Sequence, residues 1–147
     1  MNKKRQYLPS TTELIDRMSI DTIKMVLQKD QKNVQLEIHK LLHDIDLLIK
    51  EKKLVLSSRM LCASIILSQI NLHIWKAKNQ LEGATGKQYD DLLKYAHQLN
   101  GLRNRVKNFL LVLLQDTEEK TQWTNDSVDG LNDWIGDLLG YETKNTR

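Results

Sequence analysis

From residue 10 to residue 115 the apolar positions recur at steps of 3 and 4, the period of helices that each bury one side. Ser10-Thr11-Thr12-Glu13 reads as a capping box, in which the Ser10 hydroxyl accepts from the Glu13 amide, and it predicts a helix start. Leu14, Ile15, Met18, Met25 and Val26 form that helix's apolar side, and the pattern loosens between Asp30 and Asn33. Val34, Ile38, Leu41, Ile45, Leu48 and Lys52, at steps of 4, 3, 4, 3 and 4, write a second helix with a heptad-like stripe that Leu42 and Ile49 widen. Such a stripe needs a partner, from this chain or from another subunit. Lys50 to Lys53 breaks the apolar pattern without Gly or Pro, which leaves both a short turn and a continuous helix open.

A third helix is predicted from Leu56 to Leu81, ended by Gly83 and Gly86, and a fourth from Tyr89 to Gln115, with Asp90 and Asp91 in its first turn. Gly101 interrupts the fourth at a cost of about 1 kcal/mol relative to alanine, which close helix packing or a ligand near the backbone would offset. Further on, Leu131, Trp134, Ile135, Leu138 and Leu139 make one apolar face, capped by Ser127, ended by Gly140 and backed by Asp126, Asp129, Asp133 and Asp137. No segment alternates as a strand does. The expected fold is all-α: a basic arm at 1–9, a bundle of four main helices at 10–115, and an acidic segment at 116–147 with a short amphipathic helix.

Composition narrows the setting. A chain of 147 residues has the length of one domain and buries a core without disulfides or a structural metal. The single cysteine, Cys62, lies among apolar neighbours and reads as a small core residue in a reducing, cytoplasmic compartment. The start of the chain lacks the apolar stretch of an export signal, and the longest apolar run, Phe109 to Leu114, is too short to span a membrane. The net charge of +3 conceals a division: residues 1–115 carry 19 Lys and Arg against 11 Asp and Glu, a balance of +8, whereas residues 116–147 carry 3 against 8, a balance of −5. A basic body suits an anionic partner. Nucleic acid is disfavoured, because the cations are spread over several helices and no groove-reading element is present.

The candidate chemistry lies in two polar stripes. Ser64, Ser68, Asn71 and Trp75 follow one another at steps of 4, 3 and 4 on the third helix, and Asn100, Arg103 and Lys107 at steps of 3 and 4 on the fourth. With Asp16 and Arg17 of the first helix and Asn104 of the fourth, they supply a fork for phosphate or carboxylate, a point charge, amide edges and a flat stacking ring. The competing reading is a buried network of Asp16, Arg103 and asparagines that fixes helix register with no ligand. His39 and His43 stand at metal-chelating spacing, but Lys40 occupies the place of the glutamate base in a zinc-peptidase pattern, so a solvated face is the better reading. Neither a metal nor a cofactor is expected. Glu82-Gly83-Ala84-Thr85-Gly86-Lys87 has the glycines of a phosphate loop without its spacing, and reads as a helix connection.

These residues also resemble a family of small helical proteins found in bacteriophages and in bacterial polysaccharide gene neighbourhoods. Glu13-Leu14-Ile15-Asp16-Arg17-Met18-Ser19-Ile20 with Ile23-Lys24 is similar to the family's opening motif. Ile70-Asn71 with Ile74-Trp75 resembles its middle motif, and Leu99-Asn100, Arg103 and Val106-Lys107-Asn108 its third. Lys78 and Asn79 stand where the family usually has an acidic pair after its tryptophan. The resemblance implies an all-helical fold around a shared polar centre and a phage origin, and it supplies no established activity.

The function expected is therefore non-catalytic binding of an anionic small molecule of nucleotide or sugar-nucleotide type, which in a phage would serve to sequester a host nucleotide signal. Asp16, Arg17, Asn71, Trp75, Asn100, Arg103, Asn104 and Lys107 are its candidate ligand-binding residues, and the protein is expected to be a homo-oligomer. The alternatives are a structural or protein-interaction module and, behind it, an enzyme acting on nucleotides or sugars.

Overall fold

The computed structural model describes residues 9–28 and 31–116, together with Trp134, Leu138 and Leu139. Four helices follow in order: α1 (Thr11–Leu27), α2 (Lys32–Lys52), α3 (Ser58–Leu81) and α4 (Gly86–Leu113). The described residues contain no strand, so the fold is all-α as the periodicity requires. The predicted arm lies outside them except for Pro9. Of the predicted last helix only Trp134, Leu138 and Leu139 are described, all helical, and Leu139 is buried in the core.

The centre is the antiparallel α3–α4 hairpin. Ala63, Leu67, Ile70 and Ile74 of α3, at steps of 4, 3 and 4, pack against Leu99, Leu102, Val106, Phe109 and Leu110 of α4, with Leu114 and Leu139 closing one end and Cys62 packed at the edge. The buried Gly101 lies within α4 on this packed stretch. Helix α1 rests on both hairpin helices, and α2 turns back to pack on α1. This layering explains why α1 is buried on two sides: Leu14 meets Leu41 and Leu48 of α2, while Asp16 and Ser19 face the hairpin. Burial of the apolar groups at about 25 cal/mol per Å² drives the assembly, but α1 brings acids and hydroxyls into the interior, and these need partners.

The helix ends supply part of that partnership. At the start of α1 the Ser10 hydroxyl accepts from the Glu13 amide at 3.2 Å, as the capping box requires, and the Ser10 carbonyl accepts from the Leu14 amide at 3.0 Å. The two remaining amides, of Thr11 and Thr12, donate to the Asp116 carboxylate at 3.3 and 3.0 Å. The amides of the first three helical residues, Thr11, Thr12 and Glu13, which no helical carbonyl can serve, are thus all satisfied. Both α2 and α4 end in left-handed residues that are not glycine, Lys53 (φ 51) and Gln115 (φ 54). In each case the next amide reaches five residues back, Leu54 to Ile49 at 3.0 Å and Asp116 to Leu111 at 2.9 Å, which closes a Schellman turn. The turn after α4 is what carries Asp116 back to α1. Left-handed backbone is costly for residues with a Cβ, so Lys53→Gly is expected to stabilise the fold by about 0.5–1 kcal/mol. Urea unfolding checks this, and a loss of stability would show that the Lys53 side chain does more than complete the turn.

Of the Lys50–Lys53 segment, Lys50 to Lys52 continue α2 and Lys53 alone makes the turn that ends it. Helix α4 begins at Gly86, three residues before the predicted Tyr89, so Gly86 opens a helix (φ +59) instead of closing the one before it. No described helix is long and apolar enough to cross a membrane.

Candidate functional site

Each polar stripe lies one residue on from an apolar one: Asn71 follows Ile70, Asn100 follows Leu99, Arg103 follows Leu102 and Lys107 follows Val106. A step of one residue turns about 100° around a helix, so while the apolar stripes close the α3–α4 seam, the polar stripes face the third element at the seam, α1. There they meet Asp16. The Arg103 guanidinium grips this carboxylate with two bonds, Nε to Oδ1 at 3.2 Å and Nη2 to Oδ2. Asn71 Nδ2 donates to Oδ1 at 2.8 Å and also reaches Ser19 Oγ, which in turn donates to the Asp16 carbonyl at 2.8 Å. Lys107 Nζ pairs with Glu13 and lies 3.4 Å from Asp16 Oδ2.

Asp16 is only 2% exposed. Burial alone raises a carboxyl's pKa, but the Arg103 and Asn71 hydrogen bonds and the positive charges of Arg103 and Lys107 outweigh it and hold Asp16 below the ordinary carboxylate value. The acid is therefore ionised, and two acids face two cations. Such a balanced cluster fixes the register of α1 on the hairpin. It also spends most of the Arg103 and Lys107 charge inside the protein.

Arg103 nevertheless has a second side. Its Nη1 points toward Asn100 Oδ1 at 3.4 Å, a long contact, and both residues line a cleft of about 310 Å³ between α3 and α4. Ile74, Leu81, Leu93 and Ala96 form its apolar walls, and Lys78 and His97, both exposed, complete its polar lining. Among the described residues no acidic side chain lines it. The Asp16 clamp holds the guanidinium at the inner end of the cleft, so an incoming anion would meet a cation that is already oriented.

The structure thus brings together Asp16, Asn71, Asn100, Arg103 and Lys107 of the sequence-predicted set. It does not bring in the rest. Arg17 is on the exposed side of α1, Trp75 is half-buried on α3 and Asn104 half-buried on α4, and none of the three lines the cleft. Ser64 and Ser68 bond to carbonyls of their own helix. Sequence reasoning missed Lys78, His97 and Ser19; the first two lie about one turn from Ile74 and Asn100, and Ser19 three residues past Asp16, so extending each stripe by one turn finds them. It also missed the Asp116 clasp, in which Thr12 Oγ1 at 2.6 Å and Lys52 Nζ join the two α1 amides on one carboxylate. In the sequence Lys52 reads only as the polar end of the α2 stripe.

Among the described residues no group of three or more His, Cys, Asp and Glu is placed to hold a metal. His39 is exposed, and His43 Nδ1 lies 3.0 Å from Asp44 Oδ1 on the same helix. The chain was compared with known protein families, with curated proteins and with solved structures, and it matches none of them.

Proposed function

We propose that the protein binds a small anion of nucleotide or sugar-nucleotide type in the α3–α4 cleft, without turning it over. The observation that carries this reading is the lining: Lys78, His97, Asn100 and Arg103 converge on one cleft with apolar walls, and no acid lines it among the described residues. Phosphate would sit at the inner end against Arg103 and Asn100, with Lys78 as a point charge at the rim, and the apolar walls would take a sugar or base. The volume is at the lower end of the range of about 300–1,000 Å³ typical of ligand sites, which favours a mononucleotide-sized ligand. A phage protein that sequesters a nucleotide signal would use a cleft of this kind.

Calorimetric titration with pyrophosphate, adenosine monophosphate and uridine diphosphate glucose tests it. Lys78→Glu reverses an exposed charge that carries no ion pair among the described residues. It is expected to weaken binding at least about tenfold, some 1.4 kcal/mol, and to leave the ligand-free melting temperature unchanged. Absence of binding by all three probes, or equal affinity in Lys78→Glu, would overturn the reading. Hydrolysis of a bound probe would move the protein to the enzyme class.

A further inference from the structure

Among the described helices, α2 packs only on α1. Leu41 and Leu48, with Ile45 beside them, lie against Leu14 and Met18 of α1, and α2 makes no substantial contact with α3 or α4. A second apolar line runs next to that contact: Ile38, Leu42, Ile45 and Ile49, at steps of 4, 3 and 4. Leu42 is 45% exposed and Ile49 39%. Single exposed apolar residues need no explanation, but two exposed ones on a line at coiled-coil spacing, with Ile38 and Ile45 half-buried between and beside them, do.

We propose that this line is an interface with a second copy of the chain, the two α2 helices packing antiparallel about a twofold axis beside residues 43 and 44. The seam is self-complementary in that orientation. Antiparallel pairing sets Ile38 against the partner's Ile49 and Leu42 against the partner's Ile45, so each apolar side chain finds an apolar mate. The same register brings the exposed His39 beside the partner's Asp46, a donor facing an acceptor, and the twofold repeats the pair. A parallel pair would instead set imidazole on imidazole and carboxylate on carboxylate.

The ends of α2 agree with this arrangement. Val26 (81% exposed) and Leu27 (56%) precede its start, and Val55 (80%) and Leu56 (75%) follow its end. Within one chain these apolar pairs are separated by the length of a 21-residue helix, about 30 Å. The antiparallel twofold brings each to the same end as its counterpart from the partner. The interface would leave the α3–α4 cleft untouched, since none of its residues lines that cleft.

Sedimentation equilibrium of the full chain across a concentration series tests the assembly. The expected result is a monomer–dimer equilibrium in which Leu42→Lys raises the dissociation constant at least about tenfold with no change in helical circular dichroism. His39→Asp is expected to weaken the dimer by placing two acids together, and His39→Asp with Asp46→Lys to restore it. The register is read from disulfides in a Cys62→Ala background. An equal mixture of the Ile38→Cys and Ile49→Cys variants is expected to crosslink, and neither variant alone. A chain that stays monomeric up to about 1 mM, far above the range for specific association, would overturn the proposal. So would a dimer indifferent to Leu42→Lys, or crosslinks that join like residues.

Discussion

Asp16→Ala is expected to lower the unfolding free energy by about 3 kcal/mol, the largest effect of any polar substitution in the molecule. Removing the carboxylate leaves Arg103 and Lys107, one turn apart on α4, side by side at the α1–hairpin junction with Glu13 as their remaining acid, and leaves Asn71 with one acceptor where it had two. Breaking a buried pair costs about 3–5 kcal/mol, and the lower end applies because a quarter of the Arg103 side chain reaches solvent. Urea denaturation of the variant measures it. A loss below about 1 kcal/mol would mean that the cluster is incidental to the fold. Replacing Asp16 and Arg103 together by Leu and Met should cost less than Asp16→Ala alone, because no charge is then left buried without a partner.

The same group sets a pH dependence. The folded pKa of Asp16 lies below that of the unfolded chain, about 3.9 for an aspartate, so ionised Asp16 binds fewer protons folded than unfolded under acid conditions. Its contribution is therefore fully present above about pH 4 and disappears as pH falls through the lower folded value. In Asp16→Asn that contribution is missing at every pH. The stability gap between wild type and Asp16→Asn should thus be constant near neutrality and close as the pH falls below the ordinary aspartate range; a gap that widens with acid would contradict the assignment of the charged form.

The second large effect is expected at Asp116. Its side chain is 1% exposed, and through this one carboxylate the end of α4 holds both the start of α1 and the end of α2. Asp116→Ala strands two α1 amides and the Thr12 hydroxyl and removes the partner of Lys52. A capping carboxylate is worth about 1 kcal/mol at a helix start, and each buried donor left without a partner adds about 1–3, so a loss of about 2–3 kcal/mol is expected. Asp116→Asn keeps one acceptor oxygen and should lose about half as much. Hydrogen exchange distinguishes this clasp from general loosening: the Thr11 and Thr12 amides should lose protection before those of α3. Uniform loss along the chain would place the role of Asp116 elsewhere.

The clasp and the Asp16 cluster do related work. Together they pin α1 to the hairpin at two points about a turn and a half apart, and they explain how a helix carrying so many buried polar groups stays in place. Only the Asp16 cluster reaches the cleft. Its Arg103 has Nε and Nη2 committed to Asp16 and Nη1 directed to Asn100, so one guanidinium serves both the fold and the proposed ligand. Preorganisation of this sort lowers the ordering cost of binding.

Much of this was legible in the sequence for a physical reason. Helical periodicity is a local property, so the four helices and the Ser10 cap could be read from spacing alone, and the polar stripes showed where Asn71, Arg103 and Lys107 would lie. Asp16 was legible as their partner because it is an acid on the buried side of α1. The cleft was not, because Lys78 and His97 become neighbours only when α3 and α4 fold back on each other across the Gly83 turn. Asp116 was hidden for a related reason: it lies 104 residues from Thr12, and the turn that delivers it uses Gln115, a residue that carries no left-handed signature. The end of α2 was obscured in the same way by Lys53. Trp75 was included for its chemistry, and its place on α3 turns it away from the cleft lining.

The proposed site is tested most directly by following the Arg103 Nε–Hε resonance, with the Lys78 and His97 side-chain signals, during a nuclear magnetic resonance titration of the wild-type chain with adenosine monophosphate and with pyrophosphate. The account predicts saturable shifts at these three residues, while the Asn71 amide, held by Asp16 and Ser19, stays in place. Shifts confined to other surfaces, or none at the three cleft residues at saturating ligand, would contradict it.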